Sequence, residues 1–134
     1  MNYKAGGVTI REAAVRMLDE KDQELIEALE AIGVRRNVAT IIVYLKDLDE
    51  ATSRDIEKGS GLRLPEVSIA MRVLCEKGWI TGREQKGIGK GRPTGLYKLT
   101  MSIDEIIGHY EEEKRSESSQ AMQSIQRLKE ISAT

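Results

Sequence analysis

Phenylalanine is absent from this chain, and other aromatic side chains are scarce, with one tryptophan and four tyrosines in 134 residues. A core must then be assembled from Leu, Ile, Val, Met and Ala, which suits packed helices better than a β-sandwich. The single cysteine, Cys75, excludes an intramolecular disulfide and a cysteine-based structural zinc site. The single histidine, His109, reads as a surface helix residue, and no metal-ligand spacing or catalytic constellation accompanies it. No apolar run approaches the roughly 20 residues of a membrane span, and the N-terminus lacks the layout of a secretory signal. These absences set the expectation of a soluble, cytoplasmic protein that is not an enzyme, needs no cofactor or metal and has no membrane partner.

Charge is abundant, with 21 basic and 22 acidic residues for a formal net charge of −1, and it is unevenly placed. Residues 1–33 carry 4 basic and 7 acidic side chains, and residues 103–134 carry the same numbers. Residues 34–102 carry 13 and 8, and residues 63–98 alone hold 8 basic against 3 acidic. The local potential, more than the net charge, decides what docks on a surface, so the middle third is the candidate for an anionic partner.

Along the chain, Thr9-Ile10-Arg11-Glu12 fits a capping box and predicts a helix over residues 10–20, with Ala13, Ala14, Met17 and Leu18 along one side. A second stretch opens or continues at Asp22, with Leu25, Ile26, Leu29 and Ile32 at helical spacing, and Gly33 is placed to end it in a left-handed cap. The apolar stripe of this arm, residues 1–33, has to pack on its own domain or on a partner subunit. Asn37 can cap the next helix, over residues 38–48, whose core face is Ile41, Tyr44, Leu45 and Leu48. The run NVATIIVYL is β-branched enough for a strand, but Lys46-Asp47 followed by Leu48 continues the helical pattern.

Residues 49–51 read as a turn or a very short strand. Thr52-Ser53-Arg54-Asp55 offers another capping box for a short helix over 53–58, closed by Gly59-Ser60-Gly61, with Leu62 tucked back into the core. Pro65 suits the first turn of the following helix, about 65–77, whose buried stripe is Val67, Ala70, Met71 and Leu74 and which stops at Gly78. Trp79-Ile80-Thr81 begins a strand, and Leu96-Tyr97-Lys98-Leu99 returns.

Arg63, Glu66, Ser68, Ile69 and Arg72 fall off that stripe. Arginine can meet guanine acceptors and an apolar group a thymine methyl, although an ordinary solvated helix face would look the same. Glu66 would repel phosphate unless it accepts from a cytosine amine or an arginine. Residues 82–95 interleave Gly82, Gly87, Gly89, Gly91 and Gly95 with Arg83, Lys86, Lys90 and Arg92, a composition that makes a thin cationic tip attractive to phosphate. Lys90-Gly91-Arg92-Pro93 resembles the core of an AT-hook, in which arginine lies in a narrow minor groove. A nucleotide-binding phosphate loop is excluded, because its motif is missing and the glycine-rich stretch leads into a strand.

Ser102 can cap a last helix in which Ile103, Ile107 and Tyr110 take coiled-coil steps, resuming at Ala121, Ile125, Leu128 and Ser132. The spacing predicts one long helix, whole or broken near residues 116–119, whose seam meets another chain, packs within its own, or frays.

From Ala51-Thr52, Asp55-Ile56 and Ser60-Gly61 through Val67, Leu74, Lys77-Gly78-Trp79-Ile80, Arg92-Pro93, Tyr97, Leu99 and Thr100, the chain resembles the winged helix-turn-helix of TrmB-like and MarR-like transcription regulators. About half the chain carries the resemblance. It implies a mainly α fold with a small β hairpin, comprising an N-terminal helical arm (1–33), a winged helix-turn-helix (34–101) and a long C-terminal dimerisation helix (102–134). It further implies a homodimer that binds double-stranded DNA sequence-specifically, with the recognition helix in the major groove and the wing, about 82–95, on the backbone or minor groove. Base-edge contacts are then expected from Arg63, Ser68, Ile69 and Arg72, and phosphate or minor-groove contacts from Thr52, Arg54, Arg83, Lys86, Lys90 and Arg92. Dimer contacts are expected from Ile103, Ile107, Tyr110, Ala121, Ile125 and Leu128. The resemblance identifies no small-molecule effector. A winged helix serving as a protein-interaction module is the alternative, motivated by Ile69 and Val73 and by the acidic flanks.

Overall fold

The β-branched run that propensity would allow as a strand folds as a helix. In a computed structural model, which describes residues 16–85 and 94–134, the described elements are α1 (Glu20–Ala31), α2 (Arg36–Leu45), α3 (Ser53–Ser60), α4 (Leu64–Glu76), β1 (Ile80–Gln85), β2 (Thr94–Leu99) and α5 (Ile103–Ala133). The chain divides into two units, one ending at Met101 and the other running from Ser102 to Thr134.

In the first unit, α2 is the centre. Every residue from Val38 to Leu45 is buried, because α1, α3, α4 and β2 all pack against it. A helix apolar on all sides is stable only when enclosed, and the enclosure outweighs the weak helix preference of its Val, Ile and Thr residues. Its one buried polar side chain is satisfied locally, the Thr40 hydroxyl donating to the Arg36 carbonyl at 2.7 Å. Two expected boundaries move. The N-cap is Arg35, not Asn37, and no side chain caps there. The helix ends at Leu45, not Leu48, with the Leu48 N–H turning back onto the Leu45 carbonyl at 3.0 Å. Leu48 is therefore only half-buried.

The arm also differs from expectation. Residues 16–19 are not helical, and α1 starts one step after Asp19. The Asp19 carboxylate accepts the Asp22 N–H at 2.8 Å, and the Asp22 carboxylate accepts the Asp19 N–H at 3.0 Å. This reciprocal cap has Asp where a capping box usually has Glu, and it ends the preceding segment. Its accepted hydrogen bonds hold the Asp19 carboxyl below its ordinary value of 3.8. Met17, expected on the apolar side, is 70% exposed, and the Thr9–Glu12 box, Ala13 and Ala14 lie outside the described residues. Ile26 and Leu29 are buried within the unit as α1 packs on α2, and Gly33 takes the left-handed conformation expected of it, at φ 99°.

The remainder of the unit follows the sequence closely. α3 carries the Thr52–Asp55 capping box, and Gly61 ends it at φ 80°. α4 buries Val67, Ala70, Met71 and Leu74, and Gly78 at φ 76° turns the chain so that the Trp79 N–H reaches the Leu74 carbonyl at 3.0 Å. β1 and β2 pair antiparallel from Ile80 opposite Leu99 to Gln85 opposite Thr94. Ala51 adds a single bridge on the other side of β2, exchanging both backbone hydrogen bonds with Tyr97 at 2.9 and 2.8 Å.

In the second unit, α5 is capped by Ser102 and Glu105 and runs unbroken through residues 116–119. Ile106 and Tyr110 are buried, and every residue from Glu111 onward is exposed.

Gly59, inside α3, should resist the change that normally favours a helix. Alanine gains up to about 1 kcal/mol over glycine in a helix interior. A Cβ here, however, would collide with the Arg16 carbonyl oxygen and the Tyr44 ring. Overpacking against atoms that cannot retreat costs on the order of 1–3 kcal/mol, so Gly59→Ala should lower the midpoint of urea unfolding. A midpoint equal to or above that of the parent chain would refute this packing.

Candidate nucleic-acid interface

The helix-turn-helix begins with a helix too short to stand alone. α3 spans eight residues, and isolated helices of that length are not stable in water. Its Thr52 hydroxyl accepts the Asp55 N–H at 3.0 Å, and the Asp55 carboxylate accepts the Thr52 N–H at 3.1 Å. Its inward side is held by Ile56, fully buried, and by the Tyr44 hydroxyl, which donates to the Asp55 carbonyl at 3.0 Å. Gly61 then redirects the chain, and Arg63 enters α4 in an extended conformation.

Glu66 has a structural explanation. Its carboxylate accepts the Arg63 backbone N–H at 2.9 Å, so it caps α4. A carboxylate at that end also faces the positive pole of the helix. With the apolar stripe of α4 turned inward, Ser68, Ile69, Arg72 and Cys75 are exposed, Ile69 to 57%. Val73, expected to be exposed, is half-buried.

The arginines sort into two kinds. Arg16 is tied to the buried Asp22 at 2.7 Å, and Arg36 to Glu30 at 2.8 Å. Arg83 forms a bidentate pair with Glu50, with Nε to Oε2 at 2.7 Å and Nη2 to Oε1 at 2.8 Å, and hydrogen bonding to that carboxylate raises its pKa further. Arg54, Arg63 and Arg72 are exposed and form no ion pair among the described residues. Of the expected phosphate contacts, then, Arg54 is uncommitted, Arg83 already has a carboxylate partner, and the Thr52 hydroxyl already accepts a hydrogen bond. Lys86, Lys90 and Arg92 lie outside the described residues.

Two of the wing glycines have a steric role that composition alone does not reveal. A Cβ on Gly82 or on Gly95 would come within 2.8 Å of the Tyr97 side chain. The aromatic residue therefore occupies the root of the hairpin because its neighbours lack side chains.

Along α5, Ile103 is half-buried, Ile107 is 43% exposed and Tyr110 is buried, its hydroxyl pKa raised by burial and by the nearby Glu113. Ile106 lies outside the expected seam yet is fully buried. Ala121, Ile125 and Leu128 are exposed as a group, with Met122 and Ile131 beside them. At about 100° per residue, Met122 and Ile131 stand on opposite edges of a half-circumference, a face broader than a coiled-coil seam. Among the described residues no cluster of His, Cys, Asp and Glu could hold a metal ion, and no helix is long and apolar enough to cross a membrane.

A short helix, a left-handed turn, a second helix with a free outer side and a two-stranded hairpin make a winged helix-turn-helix. Solved structures share the fold. TrmBL2, described as an archaeal chromatin protein with a novel mode of DNA binding, matches with a TM-score of 0.64 and 16% identity over 81% of this chain. The chain spans only 40% of the length of TrmBL2. A possible transcriptional regulator from Methanosarcina mazei Go1 matches at 0.59 and 18% identity, covering 85% of this chain and 98% of that one. A MarR family transcription regulator, SP03579, matches at 0.50 and 14% identity over 78% and 67% of the two chains. No family model and no curated protein sequence matches. The fold read from the motifs is thus the fold of the chain, and at these identities the likeness is one of fold.

Cys75 reports on the outer side of α4, because its thiol is exposed there. A maleimide added to the native chain should label it completely without denaturant. Protection of the thiol would mean that this side of the helix is covered.

Proposed function

We propose that this chain is a transcription regulator that binds double-stranded DNA sequence-specifically as a homodimer. The observation that carries the reading is the outer side of α4, where Ser68, Ile69 and Arg72 are exposed, together with Arg54, Arg63 and Arg72, which form no ion pair among the described residues. Desolvating an already paired arginine would cost more than it returns, whereas an unpaired one can neutralise a phosphate or take a guanine edge directly. In this reading α4 enters the major groove, with Arg63, Ser68, Ile69 and Arg72 at base edges. Thr52 and Arg54 touch the backbone from the start of α3. The wing, residues 82–95, contributes Lys86, Lys90 and Arg92 to the backbone or minor groove, and Arg83 joins them only by leaving Glu50. The solved winged helices described above as a chromatin protein and as transcription regulators support this reading through their common fold.

Residues 34–101 are the DNA-binding part, residues 1–33 support it, and residues 102–134 supply the dimer contact. Ile103, Ile107, Tyr110, Ala121, Ile125 and Leu128 are assigned to that contact, with the exposed C-terminal half of α5 as its principal surface.

Two measurements test this. In a mobility-shift titration at low salt, Arg72→Ala should weaken binding to a selected site by 1–3 kcal/mol, of the order lost with one bidentate base contact, and relax the preference at one position. The pair Lys90→Ala and Arg92→Ala should flatten the log–log salt dependence by about 0.9 for each phosphate contact removed. If the parent chain shifts no duplex at micromolar concentration, the protein-interaction reading, with Ile69 as its exposed anchor, takes over. In sedimentation, Ile125→Asp with Leu128→Asp should convert a dimer to a monomer. A dimer that survives both changes rules out this half of α5 as the interface.

A further inference from the structure

The surface beside α4 continues onto a segment outside the helix-turn-helix. A shallow depression of about 200 Å³ has Arg35, Arg36 and Asn37, at the start of α2, on one side and Ile69 and Val73 of α4 on the other. No carboxylate lines it. A larger depression of about 570 Å³ beside α1 mixes Asp19, Asp22, Glu24 and Asp47 with Arg16, Lys21 and Lys46, so it offers no one-sided positive charge to an anion. The two arginines at the smaller depression differ in kind. Arg36 is committed to Glu30 at 2.8 Å and to Gln23 at 3.2 Å. Arg35 is exposed and, among the described residues, has no ion pair. The other side of the same depression carries Ile69, an apolar side chain left 57% exposed.

A guanidinium without an ion pair among the described residues, beside an exposed branched aliphatic group in a depression that no carboxylate lines, is complementary to a ligand that carries apolar and anionic groups close together. A DNA strand is such a ligand, its sugars and thymine methyls lying next to phosphates. We propose that one strand of the bound duplex lies along this depression, with Arg35 holding a backbone phosphate while Ile69 packs on the sugar or base edge of the same strand. The footprint then extends from α4 onto the beginning of α2, and Arg35 sets how far the recognition helix can roll in the groove. This inference rests on the DNA-binding reading above and adds to it a contact from a helix that the motif does not include.

The test uses the full chain and a DNA duplex carrying the selected site, titrated across a range of salt, comparing the parent with Arg35→Ala, Arg35→Lys and Arg72→Ala. Arg35→Ala should lower the salt slope by about 0.9, so that a fourfold rise in salt costs it roughly 3.5-fold less affinity than it costs the parent. Arg35→Lys should keep the parent slope, because a phosphate contact needs the charge and not the fork. The thermal midpoint of Arg35→Ala should match the parent, since the side chain is exposed and unpaired. A parent-like slope in Arg35→Ala while Arg72→Ala weakens binding overturns the inference and leaves the DNA reading standing. A slope lowered in Arg35→Lys as well, or a fallen midpoint with an unchanged slope, shows a backbone or structural role and also overturns it. No binding by the parent chain removes the DNA reading itself, and the inference goes with it.

Discussion

Close approach of Tyr44 to Gly59 is the constraint on which the helix-turn-helix depends. The ring of one and the bare backbone of the other share space that any side chain at position 59 would fill, and the Tyr44 hydroxyl reaches the Asp55 carbonyl. That contact seats α3, which is too short to persist by its own hydrogen bonds, against the enclosed helix α2. Once α3 is seated, the left-handed turn at Gly61 delivers α4 with its apolar stripe toward the same core. The two hairpin strands are held in turn. Trp79 hydrogen-bonds to the end of α4, the Thr100 hydroxyl donates to the Gly78 carbonyl at 2.8 Å, and Ala51 holds the far strand. The outer side of α4 is therefore aimed by contacts made behind it.

The distribution of ion pairs separates scaffold from surface. Arg16, with its guanidinium on Asp22 and within 3.4 Å of the Val43 and Tyr44 carbonyls, ties the segment before α1 to the end of α2. Arg83 ties the wing to Glu50. These cations are spent on architecture, whereas Arg54, Arg63 and Arg72 of the helix-turn-helix form no ion pair among the described residues. Net charge conceals this, since every paired arginine counts the same as an unpaired one. A chain near neutrality can still present a cationic surface where its carboxylates are committed elsewhere, as Glu66 is committed to the start of α4.

Much of the fold was legible because its signals are local. The Thr52–Asp55 and Ser102–Glu105 caps, the left-handed glycines and the spacing of Val67, Ala70, Met71 and Leu74 act within one or two turns of chain and appear where the spacing puts them, whereas the cap expected at Asn37 does not. The misplaced features have long-range causes. Residues 16–19 leave the helical pattern because Asp22 is shared between a cap and Arg16. Leu48 falls beyond the end of α2, and Ile106 is buried although the seam spacing passes it by. The candidate site was half legible. Residue type and periodicity picked out Arg63, Ser68, Ile69 and Arg72. Nothing in the order of residues reveals that Glu50, far from Arg83 in sequence, meets it in space, or that Arg35 stands beside Ile69.

The sequence by itself thus determined the winged helix-turn-helix, because that motif is written in caps, breakers and an apolar stripe whose physics is short-ranged. Only the tertiary structure decided which cations remain available, since pairing depends on side chains brought together across the fold. It also decided why Gly59, Gly82 and Gly95 are glycines. At Gly59 the Tyr44 ring, and at Gly82 and Gly95 the Tyr97 side chain, lies where a Cβ would be.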